Sequence, residues 1–392
     1  MKLSGHARAI IAIGVAAFAV AFVAQALYFD AYTKKLSLPG IGPVFAGTLS
    51  ESLQAAITRP FTIQAGAKAV TLSPDQLEDW IEPYQRVFTG RQEYRLNIPA
   101  ITDSVDDFAP GMTSAPVNAK FGAAASSSAI IEIIPGVPGT QLALEASLAS
   151  VTRALIDGQS TAELAVADVE PELTLARLHA MGITDHLGRG TSNYAGSPGS
   201  RVHNITIGAK RFNDIMIAPG ELFSFNDRLG DTGPREGYLP GLVIKSGKLV
   251  PEYGGGICQV STTMFRVAME SGLAIKERHA HALPVKYYNP QGYDATIYQG
   301  VVDLRFFNDT PGPILIQSNI RGTTITFDMF GVADGRGVAI NGPHVYDAKP
   351  DGSMKATLSR VVTFADGTNH KDTFYSAYKS PALYEVVRNP LE

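Results

Sequence analysis

Residues 9–29 form an apolar run of 21 positions in which Gln25 is the one polar member. At ~1.5 Å per helical residue, such a run reaches across a hydrocarbon layer of about 30 Å. Lys2 and Arg8 lie before it. The positive-inside bias therefore keeps the N-terminus in the cytoplasm and sends the rest of the chain out. A cleavable signal peptide is the alternative, because Ala24-Gln25-Ala26 has the small-x-small form of a cleavage site. Both readings place residues 30–392 outside the cytoplasm, as the body of a single-pass membrane protein or as a secreted form released near Ala26.

Export narrows what the remainder can be. The chain has 392 residues, more than one ordinary domain uses, so two or three are expected. The 38 glycines and 24 prolines favour turns and short strands over long helices. Net charge is −4 with no basic block, so nucleic acid is not an expected partner; phosphate binding needs clustered Lys and Arg. A single cysteine excludes an intrachain disulfide and a Cys-cluster zinc site.

The predicted fold class is α+β. Residues 1–29 are the transmembrane anchor or signal peptide, and 30–58 a connector. Residues 59–174 read as a small α+β module. Phe61–Gln64 and Ala69–Leu72 have strand patterns. Ser73-Pro74-Asp75-Gln76 is a helix start in which Gln76 closes a capping box, and Leu77, Trp80 and Ile81 supply its buried face. Ala129–Ile134 reads as a strand, the segment from Leu142 to Gly158 as a helix, and Glu163–Val169 as one further strand. Beyond it, Leu173–Ile183 is predicted helical. Gly188–Ser200 is predicted to be a polar loop, and Arg201–Phe212 a helix with Val202, Ile205, Ala209 and Phe212 on one face. Val243–Lys245 and Lys248–Val250 form a predicted hairpin. Four strands are predicted at Thr296–Gly300, Asp303–Phe307, Ile314–Ser318 and Thr324–Met329. The tail from 336 to 392 alternates strands and turns.

The informative stretch is Gly254-Gly255-Gly256-Ile257-Cys258-Gln259-Val260-Ser261-Thr262-Thr263. Three glycines permit backbone turns closed to other residues. Val260, Met264, Val267 and Ala268 then keep a helical period, so Cys258 falls at a helix start. The partial positive charge and free N–H groups there favour thiolate over thiol and can hold an oxyanion. A lone cysteine is otherwise a small buried apolar residue. His279 and His281 follow. In an extended segment, alternation puts both rings on one side. Either can serve as the base for Cys258, with Asp294 or Asp303 orienting it. Without a third ligand, the pair makes a weak zinc site. Gly254, Gly255, Gly256, Gln259, Ser261 and Thr262 are candidate substrate-binding residues. Tyr287, Tyr288 and Tyr293 are candidates to line a groove. His203 and the loop carrying Asp227, Asp231, Arg235 and Glu236 read as ordinary polar surface, and Phe223 and Phe225 as core.

At these motifs the chain resembles the VanW-like family of bacterial envelope proteins. The resemblance runs over residues 185–335. It is carried by Arg201-Val-His-Asn-Ile205, Ala218-Pro-Gly-Glu-Leu-Phe-Ser-Phe-Asn226, Gly237-Tyr238 and Gly247-Lys-Leu-Val-Pro251. The Gly254–Thr263 stretch, Glu277-Arg-His-Ala-His281, Asp294-Ala-Thr296 and Asp303-Leu-Arg-Phe-Phe-Asn308 complete it. Ala280 and Ala282 stand where the family has Pro and Ser, which removes loop rigidity and a hydroxyl while both histidines stay. Residues 59–174 resemble the peptidoglycan-binding module that precedes such domains, through Pro116-Val-Asn-Ala-Lys-Phe121 and Pro135-Gly-Val-Pro-Gly-Thr-Gln-Leu142.

The resemblance implies a wall-directed protein, and some members are described as cysteine L,D-transpeptidases. On that reading Cys258 attacks a stem-peptide carbonyl and an acceptor amine resolves the thioester, a reaction that needs no metal or organic cofactor. The expected partners are peptidoglycan stem peptides and, through the N-terminal run, the membrane. A wall-binding protein without chemistry, an envelope scaffold, and an accessory role in vancomycin resistance are the alternatives.

Overall fold

The computed structural model describes residues 53–387, apart from Gln54, Ile57, Ala67, Arg86, Phe88, Thr89, Arg91 and Ser246. The apolar run, its flanking charges and the cleavage motif lie outside the described residues. No helix among the described residues is long and apolar enough to cross a membrane. The fold is mixed α+β and strand-rich. Two compact units divide it: Val117–Val137 and everything from Pro171 onward form one, and Pro138–Glu170 joins the residues before Val117 in the other.

The first unit is built on Phe61, Ile63, Leu77, Trp80, Ile81, Ile101, Val151 and Leu155. The Ser73–Gln76 capping box forms, yet the helix it opens (Pro74–Leu77) lasts one turn and passes into a 3-10 turn. Ile81 then begins a strand, so the predicted face is buried by two elements rather than one. The helix Leu144–Ile156 ends at Gly158, which takes the left-handed φ of +67°. The predicted strand Glu163–Val169 divides in two. Thr161–Glu163 pairs parallel with Phe61–Ala65, and Val166–Val169 pairs antiparallel with Gly139–Leu142.

The second unit carries the motifs. Its elements are β1 (Lys120–Ala123), β2 (Ile130–Ile134), β3 (Asp185–Asn193), α1 (Gly199–Arg211), β4 (Ile215–Ile217), β5 (Leu222–Ser224), β6 (Pro240–Lys245), β7 (Lys248–Tyr253), α2 (Ile257–Glu270), β8 (Ala274–Glu277), β9 (Arg305–Phe307), β10 (Ile314–Arg321), β11 (Thr324–Gly331), β12 (Gly337–Tyr346), β13 (Met354–Thr363) and β14 (Asn369–Tyr378). A four-stranded sheet runs β3-β11-β10-β4, and three-stranded sheets run β5-β9-β8 and β12-β13-β14. Helices α1 and α2 share a core with the first of these through Ile205, Phe212, Val260, Met264, Phe265, Ile325, Phe327 and Met329. Phe223 and Phe225 are fully buried in it.

Two sequence expectations change here. Residues 188–193 are strand, not loop, because α2 lies directly on them. A Cβ on Gly190 would sit 2.4 Å from the Val267 nitrogen and 2.5 Å from the Thr263 carbonyl oxygen. The glycines that suggested a loop are there to admit a helix. Conversely, residues 296–300 are not a strand. They make only single bridges, His279 with Thr296 and Tyr298 with Val302, and their neighbours are held by side chains of α2.

The C-terminal sheet is tied to the same helix. Arg360 of β13, 1% exposed, donates to the carbonyls of Ala268, Met269 and Leu273 and pairs with Asp372. The last carbonyls of a helix lack intrahelical partners and carry partial negative charge, so a cation there satisfies both needs.

Candidate active site

Cys258 is the second residue of α2, and Gly256 caps the helix with a φ of +111°. The glycine run has distinct reasons at each position. Gly254 and Gly256 take positive φ. Gly255 packs its backbone on Gly241, where a Cβ would come within 2.3 Å of backbone atoms. Asn204 of α1, fully buried, fixes this turn by donating to the carbonyls of Gly255 and Leu239 and accepting from the Leu239 N–H. The helix start is thereby locked. The N–H groups of Ile257 and Gln259 go to the Gly254 and Gly256 carbonyls, while that of Cys258 has no backbone acceptor among the described residues.

The polar face of α2 is wholly inside the protein. Gln259, Ser261, Thr262 and Thr263 are each 0% exposed. Ser261 and Thr262 donate to the Ala295 carbonyl, and Thr262 accepts from the Ala295 N–H. Gln259 accepts from Arg201 and donates to Ser192 and the Tyr287 carbonyl. Arg266 donates to the carbonyls of Thr191, Tyr288, Asn289 and Tyr293. Gln259, Ser261 and Thr262, the candidate substrate-binding residues of this helix, hold the 287–297 segment against it, because a buried polar group must find a partner. Gly254, Gly255 and Gly256 likewise shape the turn.

That segment delivers both flanks of the thiol. Cys258 Sγ lies 3.7 Å from Thr296 Oγ1 and 3.7 Å from the Ile297 carbonyl oxygen. On the other side of Ala295, Asp294 is 1% exposed. Its Oδ2 accepts from His281 Nδ1 at 2.6 Å and from the His281 backbone N–H at 2.8 Å. Its Oδ1 accepts from Arg278 Nη2 at 3.0 Å and from the Tyr378 hydroxyl at 2.6 Å. Tyr378, at the end of β14, also accepts from the Gly292 N–H at 2.7 Å.

An ionised carboxylate only accepts, so Nδ1 of His281 carries a proton in either charge state and Nε2 is the nitrogen that gains or loses one. Nε2 is buried without a conventional hydrogen bond, and the thiol is near enough that each group shifts the other's protonation. The ring stacks on Tyr288, centroids 4.4 Å apart, which fixes its orientation. Thiol, imidazole and carboxylate thus stand in the order nucleophile, base, orienter.

Burial disfavours the imidazolium, but the hydrogen bond to Asp294 and the neighbouring thiolate outweigh it and raise His281 to about 9. Burial pushes the Cys258 thiol up, and His281, the Ile297 backbone and Thr296 together bring it below its ordinary value. Burial also works against the Asp294 carboxylate, while His281, Arg278 and Tyr378 hold it well below the usual range. All three shifts favour a thiolate–imidazolium pair.

The two histidines do not share a side. His279 is exposed and meets Glu277 at 3.2 Å, while His281 is buried. Alternation fails because Arg278 turns in to Asp294 between them. The segment is held without the family's Pro and Ser: His281 N–H is bound by Asp294, and the Lys379 N–H donates to the Ala282 carbonyl. Asp303 is elsewhere, accepting from Ser224 and the Asn226 N–H. Tyr287 lies under the Arg201 guanidinium at 4.1 Å, and Tyr293 packs edge-on to Phe265. His203 faces the Gly237 carbonyl. No group of three or more His, Cys, Asp or Glu side chains among the described residues is arranged to hold a metal ion.

Residues 200–330 match the family described as VanW like protein. The chain is 34% identical over 199 residues to the uncharacterized protein YoaR of Bacillus subtilis, across 50% of this chain and 65% of that protein. It is 36% identical over 116 residues to the vancomycin B-type resistance protein VanW of Enterococcus faecalis, across 28% of this chain and 42% of that protein. The chain therefore spans less than two thirds of each of these relatives. Among solved structures, an L,D-transpeptidase of Enterococcus faecium aligns at 14% identity over 30% of this chain and 44% of that one; its TM-score of 0.21 carries no argument. Cys258, His281 and Asp294 fall inside the matched residues, whereas Tyr378 and Arg360 lie beyond them. On the family match and the two relatives together, the chain carries a VanW-like domain over residues 200–330.

Proposed function

We propose that the chain is a cell-envelope protein that acts on peptidoglycan as a cysteine acyltransferase of L,D-transpeptidase type. The observation that carries the reading is Cys258 at a helix start, beside a buried His281 whose other nitrogen is bound to Asp294 at 2.6 Å. The wall as target is supported by the relative named for vancomycin resistance. Export and membrane anchoring rest on the N-terminal run and are part of the proposal.

In the first step the Cys258 thiolate attacks the carbonyl carbon of a stem-peptide bond. A C–S bond forms, the C–N bond breaks, and the departing amine takes the proton from His281 Nε2. The tetrahedral oxyanion is served by the Cys258 N–H, which has no backbone acceptor among the described residues. In the second step Nε2 takes a proton from an acceptor amine, which attacks the thioester. The C–S bond breaks and the thiolate returns. Asp294 keeps its charge throughout and stabilises the imidazolium.

The test is incubation of the full chain with muropeptide dimers and monomers, read by product mass. New cross-links that disappear in Cys258→Ala support acyl transfer. Cross-linking that persists in that variant overturns it, and muropeptide binding without any product favours a wall-binding protein.

A further inference from the structure

We propose a second binding site on the face of the four-stranded sheet opposite α2, and we assign it to a carboxylate-bearing saccharide. Ser192 of β3 bonds α2, and Ile325, Phe327 and Met329 of β11 join the core with it. Successive strand residues face opposite ways. Arg189, Thr324, Thr326 and Asp328 therefore point away from Cys258. A cavity of about 330 Å³ opens there, walled on one side by Phe121 and Ile133 of the β1–β2 hairpin and floored by β10 and β11. That is the size of a small-ligand site.

The lining has two halves. Phe121 and the half-exposed Ile133 make an apolar wall. Across from it stand Asn319, Thr326 and Arg321, whose side chains have no hydrogen-bond or ion-pair partner among the described residues. A sugar ring has the matching shape, a C–H face for the wall and a rim of hydroxyls and amides for the polar row.

Charge narrows the class further. The cavity holds three cations, Lys120, Arg189 and Arg321, against one carboxylate, Asp328. Asp328 is already bound by His186 at 2.7 Å and by Arg189, and Lys120 is spoken for by Asn213 and Asp214. Arg321 is the uncommitted cation, and its planar fork fits a carboxylate. The site is independent of the chemistry assigned to Cys258.

The experiment is calorimetric titration of the full chain with three probes: the disaccharide of N-acetylglucosamine and N-acetylmuramic acid, neutral chitobiose, and glycerol phosphate. The muramic disaccharide is expected to bind best and to weaken with salt. In Arg321→Glu its affinity falls by at least about tenfold, the loss of a charge-assisted hydrogen-bond pair. Thr326→Trp, which fills the cavity, removes binding as well. Both variants keep wild-type alkylation of Cys258, which shows that they fold, and Cys258→Ala keeps wild-type disaccharide binding. Absence of binding to the wild type, equal binding of chitobiose, preference for glycerol phosphate, or unchanged affinity in both variants overturns the assignment. Loss of cross-linking in Cys258→Ala would leave it standing.

Discussion

Replacing His281 by Gln separates a thiolate–imidazolium pair from a thiol that merely lies near a ring. With His281 at about 9, the imidazolium outnumbers the neutral ring by ~100:1 at pH 7, so Cys258 shares the pocket with a full positive charge. In the variant, burial still pushes the thiol up, and only the Ile297 backbone and Thr296 oppose it. A thiol at its ordinary 9.0 is already only ~1% ionised at pH 7. The weaker intrinsic nucleophilicity of a low-pKa thiolate returns part of the difference. Alkylation at pH 7 should therefore slow by roughly 10- to 100-fold. The assay is the rate of iodoacetamide addition from pH 5 to 10, read by intact mass; Cys258 is the only cysteine, so every adduct reports on it. The wild-type rate should rise at a lower pH than that of an ordinary thiol and flatten before His281 loses its proton near 9. The variant should climb about tenfold per pH unit over the same range. A wild-type rate that climbs in the same way, or a variant with the wild-type profile, would refute the ion pair.

Stability should follow the same groups. His281 is raised in the folded state, so its contribution is complete below about 6.5 and is lost as pH rises through about 9. Cys258 is lowered in the folded state, so its contribution grows as pH rises toward 9.0 and opposes that of His281; the wild-type urea midpoint should therefore stay nearly flat from about 6.5 to 9. Asp294 is depressed, so its contribution is present above about 3.8 and is lost as pH falls through its lower folded value. Tyr378→Phe removes a donor to that carboxylate and strands the Gly292 N–H, costing about 1–3 kcal/mol and moving the acid transition to higher pH, followed by circular dichroism. Gly190→Ala drives a methyl into the backbone of α2 and should cost about 3 kcal/mol or more in urea unfolding. Arg360→Met leaves the last carbonyls of α2 and Asp372 without their partner, at about 3–5 kcal/mol in the same measurement.

The pattern of residues discloses the helix at Cys258, because Val260, Met264, Val267 and Ala268 repeat at helical spacing beside a glycine turn. It also discloses the α1 face, the β6–β7 hairpin and the core phenylalanines. What it hides follows one physical theme. Ser261, Thr262 and Gln259 look like ligand-contacting groups because they are polar and near the cysteine, yet every one is consumed inside the fold. Nothing local in a sequence distinguishes a hydroxyl that binds a substrate from one that binds a carbonyl 34 residues away. Gly188 and Gly190 read as loop because the helix that needs their bareness lies more than sixty residues downstream. His279 and His281 are equivalent by spacing and are separated only by the inward turn of Arg278. Tyr378 carries no motif and lies 84 residues from Asp294, so its contact with the carboxylate belongs to the topology of the C-terminal sheet. Arg278 lies within the Glu277–His281 motif, and its buried pairing with Asp294 becomes visible only in the fold.

Trapping the acyl-enzyme tests the central claim most directly. The full chain and its Cys258→Ala variant would be mixed with a purified stem tetrapeptide and quenched in acid for intact mass. The account predicts a wild-type adduct equal to the peptide less its departing D-Ala, discharged by hydroxylamine and absent from the variant. A wild type that binds the peptide and never gains that mass would contradict it.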